Sequence, residues 1–159
     1  RNYRGYEYFY KKCNCSVLLQ LRTKKKQERK DEKIGIIGAM ELEVEELKSQ
    51  MEEVCVKEKA SMEFYQGTLN GKEVVVVRSG IGKVNAAVCT QILVDDFQAE
   101  AVINTGIAGS LKAEINIGDI VVSTDALQHD MDAREFGYPK GQIPQMNVFS
   151  FKADETLRK

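Results

Sequence analysis

The stretch KIGIIGAMELEVEELK, residues 33–48, joins an apolar run to an acidic one through Gly-Ala-Met. Residues 34–37 are apolar and are bounded by Gly38, which is typical of a short strand buried in a sheet. Over residues 40–54 the apolar positions recur with a helical period, so we predict a helix there. The stretch therefore predicts a strand, a turn and a helix, the opening unit of an α/β fold.

The alternation continues along the chain. Residues 63–77 give two strand-like segments around Asn70-Gly71, a pair that favours a type I′ hairpin. The remaining predicted elements are a glycine turn at 79–83, a helix at 84–97, a strand and glycine turn at 101–111, a strand at 117–123, a long loop at 128–144 and the start of a helix at 151–159.

Strands that alternate with helices predict the α/β class with a parallel or mixed sheet. Such sheets bind ligands beyond the carboxyl ends of their strands. Three glycine turns follow predicted strands, at Gly38, at Gly80 and Gly82, and at Gly106 and Gly109. We therefore expect these turns to meet at one edge of the sheet, which is the candidate site.

The composition bounds the class of protein. A length of 159 residues with 43% apolar residues suits one globular domain with a substantial core. The sequence has neither an apolar run of about 20 residues nor the apolar region of a signal peptide. Four cysteines without zinc spacing predict reduced thiols and a cytoplasmic location.

The charge is divided unevenly. Residues 1–33 hold eleven Lys and Arg against four Asp and Glu, and the remaining residues hold twelve against twenty, which gives +7 and −8. We interpret residues 1–32 as a basic leader, flexible or non-native, and residues 33–159 as the folded portion. A basic arm that binds nucleic acid or a membrane surface is the alternative interpretation.

One glutamate of the acidic run differs from the others. At 100° per residue, Glu43 lies about 60° from the centre of the apolar stripe of the predicted helix, whereas Glu41, Glu46 and Glu45 lie about 100°, 120° and 140° away. A carboxylate at the margin of a pocket can accept a proton from water, as a general base does. Glu43 is therefore the candidate catalytic residue, and a boundary residue with a packed stem and a solvated head is the alternative.

Other motifs give weaker signals. The SGIGK turn lacks the first glycine and the final Ser or Thr of a phosphate-binding loop, and GIIG lacks the third glycine of a dinucleotide site. The single histidine lies in HDMD, residues 129–132, without further ligands at a metal-binding spacing, so we expect neither a metal nor a cofactor. Phe136, Tyr138 and Pro144 form an apolar group that either caps the core or covers a ligand or partner.

Several motifs together identify a family. KIGIIGAMELEVEEL, SGIGKVNAA, VINTGIAGSL, GDIVVST and HDMDAREFGYPKGQIP closely resemble, in order and spacing, the bacterial 5′-methylthioadenosine/S-adenosylhomocysteine nucleosidases of the purine nucleoside phosphorylase superfamily. The resemblance covers residues 33–159. It implies a three-layer α/β/α fold with a mixed central sheet, and hydrolysis of the N-glycosidic bond of methylthioadenosine and S-adenosylhomocysteine.

The resemblance also assigns roles to residues. It makes Glu43 the base that activates water, Met40 and Ile81 part of the ribose and alkylthio region, and residues 107–109 (Ile107, Ala108 and Gly109) the turn that meets the nucleoside. Phe136, Tyr138 and Pro144 match a loop that closes the alkylthio pocket of the neighbouring subunit in a homodimer. The implied partners are a nucleoside substrate and a second copy of the chain, without a membrane or nucleic acid.

The resemblance is incomplete at one point. The family's ribose-binding MExxA segment and the aspartate that protonates adenine have no counterpart in this sequence. We therefore expect the chain by itself to be poorly active and prone to aggregation. A phosphorolytic enzyme and a non-catalytic dimerising module with a nucleic-acid-binding arm are the alternative functions.

Overall fold

A mixed sheet forms the centre of the structure, a computed structural model that describes residues 15–22 and 32–158, with side chains from residue 32 onward. The basic run at 23–31 and residues 1–14, which include Cys13, lie outside the described residues. The strands are β1 (Cys15–Arg22), β2 (Ile34–Gly38), β3 (Glu52–Lys59), β4 (Met62–Leu69), β5 (Lys72–Arg78), β6 (Ala101–Asn104), β7 (Ile107–Ala108), β8 (Ile120–Val122), β9 (Asp125–Ala126) and β10 (Phe151–Lys152).

Within the part of the chain that the structure describes, four helical segments connect these strands. They are a 3-10 turn at Glu41–Glu43, helix α1 (Glu45–Ser49), helix α2 (Lys83–Asp95) and a second 3-10 turn at Arg134–Phe136. The prediction of a helix at 84–97 is confirmed by α2 within the usual uncertainty of helix ends.

The sheet has the order β3-β4-β5-β2-β6-β1-β7, and β8 pairs with β1. Strand β2 runs parallel to both β5 and β6, whereas β4 runs antiparallel to β5. The predicted hairpin is confirmed, since Asn70 and Gly71 have φ values of 50° and 74° and Leu69 pairs with Lys72.

Each face of the sheet carries its own apolar cluster. Val75 and Val77 of β5 pack with Leu93 of α2 on one face, while Val74 and Val76 pack on the other face. The alternation follows from the two-residue period of a strand. The second cluster also contains Val44, which precedes α1, so helical segments cover both faces and the three-layer α/β/α prediction is confirmed.

The predicted helix at 40–54 is wrong in its second half. Helix α1 ends at Ser49, and residues 52–59 form β3, which pairs with β4 in an antiparallel hairpin. Backbone pairing with β4 together with the branched side chains of Val54 and Val56 favours the extended conformation. The helical period of this short stretch was therefore overridden by tertiary pairing.

The end of the described chain also differs from the expectation. Residues 151–152 form β10, which pairs with β9, and a single turn follows in which Asp154 Oδ1 accepts the N–H groups of Thr156 and Leu157. Lys152 and Ser150 both donate to Asp125 of β9, which favours the extended conformation at Phe151. The predicted start of a helix at 151–159 is therefore wrong for residues 151–158, where the structure has a strand and a turn.

Strand β1 lies inside the segment interpreted as a leader. It pairs antiparallel with β6 and β7 and parallel with β8. The sequence shows no period that predicts this strand, and the division of the chain at Lys33 stays a prediction. Among residues 15–22 and 32–158, no helix is long and apolar enough to span a membrane.

Candidate active site

The carboxyl ends of three strands meet at one edge of the sheet. Gly38, the last residue of β2, pairs with Arg78 of β5, and Ile37 pairs with Asn104 of β6. Two backbone bonds extend this alignment, from Ser79 N to Gly38 O at 2.9 Å and from Thr105 N to Ile37 O at 2.9 Å. The prediction that the three glycine turns share one rim is therefore confirmed.

The half-buried carboxylate of Glu43 is fixed between two of these turns. Its Oε2 accepts the N–H of Ala39 at 2.7 Å and that of Met40 at 2.9 Å. Its Oε1 accepts the N–H of Ile107, 64 residues further along the chain, at 2.9 Å. Hydrogen bonds to an ionised acceptor are stronger than neutral ones, so the three bonds hold the carboxylate in one orientation.

The helical-wheel argument correctly set Glu43 apart from the exposed glutamates, although it assumed a longer helix than the structure has. The wheel assumed a helix that continues to Val54, whereas the helix is interrupted after Glu43 and ends at Ser49. Glu45 and Glu46 are exposed as expected, and exposed Glu41 pairs with Lys48 at 2.8 Å. The short 3-10 turn is what directs Glu43 back toward the rim.

A cavity of about 520 Å³ opens beside the same rim. Met40 and Ile81, both predicted from the resemblance, line it together with Arg78, Ser79 and the turn between β3 and β4. A volume of this order suits a ligand of nucleoside size. Glu43 is not among the residues that line this cavity, whereas Ala39 and Met40, whose N–H groups it binds, do line it.

The predicted turn residues after β6 lie on the other side of Glu43. Ile107 is 47% exposed, Ala108 is half-buried and Gly109 is exposed. Of these three, Ile107 contacts Glu43 through its N–H. The rim therefore brings Glu43 together with Met40, Ile81 and Ile107.

The aromatic loop lies apart from the cavity lining. Phe136 is 80% exposed, and Tyr138 and Pro144 are half-buried. The Tyr138 hydroxyl accepts the N–H of Gln145 at 3.2 Å, which stiffens the loop. None of these three side chains borders the cavity within the described part of the chain.

Ion pairs fix the loop segment that contains the histidine. Lys83, at the start of α2, donates to Asp130 at 2.6 Å and to Gln128 at 3.0 Å. The lysine holds the pKa of Asp130 below its usual range, and Arg134 lowers the pKa of Asp132 to about 2 by hydrogen bonding. These carboxylates serve ion pairs in the structure, and Lys83 connects the loop to the SGIGK turn.

Sequence reasoning missed several residues of the site. Arg78 and Asn85 line the cavity. Arg78 lies outside the quoted motifs, and Asn85 lies in SGIGKVNAA but was assigned no role. Arg78 was detectable in principle, since it ends a predicted strand at the rim. The steric role of Gly106 had no sequence signal, because it depends on a contact with Glu43 across the sheet.

Comparisons with known proteins agree on one family for this chain. The sequence profile of the phosphorylase superfamily matches residues 33–159. The chain is 50% identical over 125 residues to the 5′-methylthioadenosine/S-adenosylhomocysteine nucleosidase of Halalkalibacterium halodurans, a match that covers 79% of this chain and 54% of that protein. The chain thus spans about half the length of the curated relatives it matches.

Solved structures agree with the sequence comparison. The nucleosidase of Colwellia psychrerythraea in complex with adenine superposes with a TM-score of 0.78 at 47% identity, over 81% of this chain and 53% of that one. The Neisseria meningitidis nucleosidase in complex with methylthio-immucillin-A gives 0.76 at 44% identity, over 79% and 54%. Both identities are high enough for the likeness to extend beyond the fold.

Proposed function

Because the chain belongs to the phosphorylase superfamily, we propose that it hydrolyses the N-glycosidic bond of 5′-methylthioadenosine and S-adenosylhomocysteine, with Glu43 as the general base. The observation that carries the proposal is the Glu43 carboxylate, which three backbone N–H groups hold at the sheet rim beside a nucleoside-sized cavity. The similar nucleosidases of known structure, solved with adenine and with methylthio-immucillin-A, support the nucleoside as the substrate class.

The chemistry assigns one proton transfer to Glu43. The carboxylate takes a proton from water, the water oxygen bonds to C1′ of the ribose, and the bond from C1′ to the adenine nitrogen breaks with its electron pair on adenine. Positive charge develops on the ribose as that bond lengthens, and the nearby carboxylate stabilises it. Adenine then takes up a proton from solvent, and Glu43 releases to solvent the proton that it took from water, so that the net reaction adds one water across the bond.

The remaining predicted residues form the proposed substrate site. Met40 and Ile81 provide apolar walls for the alkylthio group, and residues 107–109 approach the nucleoside from the opposite side of Glu43. Apolar walls with a few polar groups suit a thioether substrate. The N–H of Ile107 at this turn fixes the orientation of the Glu43 carboxylate.

We also propose that the chain acts as a homodimer in the cytoplasm. The exposed Phe136, with Tyr138 and Pro144, would close the alkylthio pocket of the second copy. Large exposed aromatic side chains are typical of partner contacts. Of the cysteines whose side chains the structure describes, Cys55 and Cys89 are both free, which is consistent with a reducing compartment.

The release of adenine from methylthioadenosine, followed by chromatography, tests the proposed reaction. We expect slow release by the parent chain and a further loss of about 10²-fold or more in Glu43→Gln, since general-base help is worth that much. Glu45→Gln is the matched control, because Glu45 is exposed on the same acidic segment, and should match the parent. If the parent neither releases adenine nor binds methylthio-immucillin-A in calorimetry, the proposal is wrong.

The adenine-release assay, together with a measurement of nucleic-acid binding, tests the two alternatives. A phosphorolytic enzyme would require phosphate and would form a ribose 1-phosphate. A nucleic-acid-binding module would show salt-sensitive binding that is lost on deletion of residues 1–32, without adenine release.

A further inference from the structure

Gly106 lies against the carboxylate of Glu43, with no room for a side chain between them. A Cβ atom placed on Gly106 would lie 2.5 Å from Oε1 of Glu43, 2.8 Å from Cδ and 3.2 Å from Oε2. Oε1 and Cδ therefore occupy the space that a Cβ at position 106 would need, and Oε2 would make a tight contact with it. Real Cβ atoms essentially never come within 3.0 Å of such atoms, so a larger residue must displace the carboxylate.

Backbone conformation does not require glycine at this position. Gly106 is outside the left-handed region, unlike Gly80 and Gly82, whose φ values are 82° and 107°. An alanine at 106 could adopt the native backbone without strain. The absence of a side chain at Gly106 thus serves the contact with Glu43.

The neighbouring glycine of the site has a different function. A Cβ on Gly38 would lie 2.6 Å from Cγ1 of Val44, a fully buried residue of the core. A larger residue at position 38 would therefore disturb packing, whereas a larger residue at position 106 would meet the end of one side chain, the Glu43 carboxylate. That carboxylate would have to move away from the position in which its three backbone hydrogen bonds form.

The contacts also limit which oxygen can react. A carboxylate has about four lone-pair sites. Two on Oε2 accept Ala39 and Met40, and one on Oε1 accepts Ile107. Within the described residues, one site on Oε1 is left for a reactant.

We propose that Gly106 is a positioning residue for the general base: its bare Cα admits the Glu43 carboxylate, so that Ile107 N–H binds Oε1 and a single lone pair of that oxygen is left to receive the proton of water. This inference rests on the proposed function for the role of the proton, and on geometry alone for the position of the carboxylate. The residue acts through Glu43 and does not itself react.

The amide proton of Ile107 reports this position directly in the assigned nitrogen–proton spectrum of the labelled chain. A bond to a carboxylate moves that resonance downfield, so Glu43→Ala should move it upfield. We expect Gly106→Ala to cause a comparable upfield shift. Gly109→Ala is the matched control, since a Cβ there meets nothing within 4 Å, and it should leave the Ile107 resonance close to that of the parent.

A double-mutant cycle removes the effect of a changed neighbour residue. The shift that Gly106→Ala causes should be large in the parent and small in the Glu43→Ala background. Equal shifts in the two backgrounds would overturn the proposal. If Gly106→Ala alone does not fold, the proposal requires the double variant to fold, because Glu43 is the group in conflict, and failure of both variants to fold would also overturn it.

This test is independent of turnover. A chain that releases no adenine would still show the Ile107 shifts if Gly106 positions Glu43. Conversely, a chain with normal adenine release and unchanged Ile107 shifts would keep the proposed reaction and lose the role of Gly106.

Discussion

The sheet region, residues 32–104, and the loop region, residues 105–158, differ in whether their large apolar side chains are buried. The fully buried large side chains all belong to the sheet region, and they are Phe64, Leu93, Val44, Val75, Val76, Val77 and Cys89. In the loop region the buried apolar residues are Ala133 and Ala153, while Leu111 is 96% exposed.

The exposed apolar residues show the opposite distribution. Eleven of the seventeen large exposed ones among the described residues lie in the loop region, which contains only about two-fifths of residues 32–158. Its strands are two or three residues long, too short to be stable alone. The loop region therefore keeps its position through polar contacts rather than through a core.

Those polar contacts include both backbone pairing and side-chain bonds. Strands β7 and β8 pair with β1, Glu43 binds Ile107, Lys83 binds Asp130, and Thr105 continues the ladder from Ile37. The comparison shows that this rim is assembled from a rigid side, which carries Glu43, and a weakly held side, which carries Ile107. Burial of the exposed apolar residues of the loop region would stabilise the side of the rim that carries Ile107.

The largest effect should come from a cavity in the sheet region. Leu93→Ala removes a fully buried side chain of α2 that packs against the sheet and should lower the free energy of unfolding by about 2–5 kcal/mol. Leu111→Ala is the matched control in the loop region and should change it by less than about 0.5 kcal/mol. Urea denaturation followed by circular dichroism measures both, and equal losses would refute the division into two regions.

The next effect concerns how stability depends on pH in the alkaline range, through a buried thiol of the sheet region. Burial raises the pKa of Cys89 to about 12, from an ordinary value of 9.0. Between these values the unfolded chain has lost the thiol proton and the folded chain has not, so stability falls as the pH rises. Cys89→Ala should flatten this decline in unfolding midpoints measured from pH 8 to pH 11, and an unchanged slope would contradict the assignment.

The smallest effect should come from the pair that holds the loop. Lys83 holds the pKa of Asp130 below its ordinary value of 3.8, so this contribution is present above that pH and is lost as the pH falls through the lowered pKa. Because the pair is exposed, Asp130→Asn should leave the unfolding midpoint unchanged within error. It should instead speed cleavage by trypsin within residues 128–144, and Asp119→Asn is the control for an exposed carboxylate without that lysine.

Much of the sheet region could be predicted from local patterns. The Asn70-Gly71 pair specified the hairpin through its two positive φ values, and the apolar period of residues 84–97 specified α2. The helix at 40–54 was wrong beyond Ser49, because pairing of β3 with β4 outweighed a short helical period. Strand β1 was not foreseen, since its pairing with β6 joins residues about 80 apart in the chain.

For the site, the sequence by itself predicted the proposed chemistry and the tertiary structure decided the geometry. The glycine turns after apolar runs, the acidic segment and the family motifs indicated a rim, a base at Glu43 and a nucleoside class of substrate, because these depend on residue type and order. The contact of Gly106 and Ile107 with the Glu43 carboxylate depends instead on the parallel register of β2 and β6. Residues more than sixty positions apart are brought within hydrogen-bonding distance only by that register, and no local period encodes it.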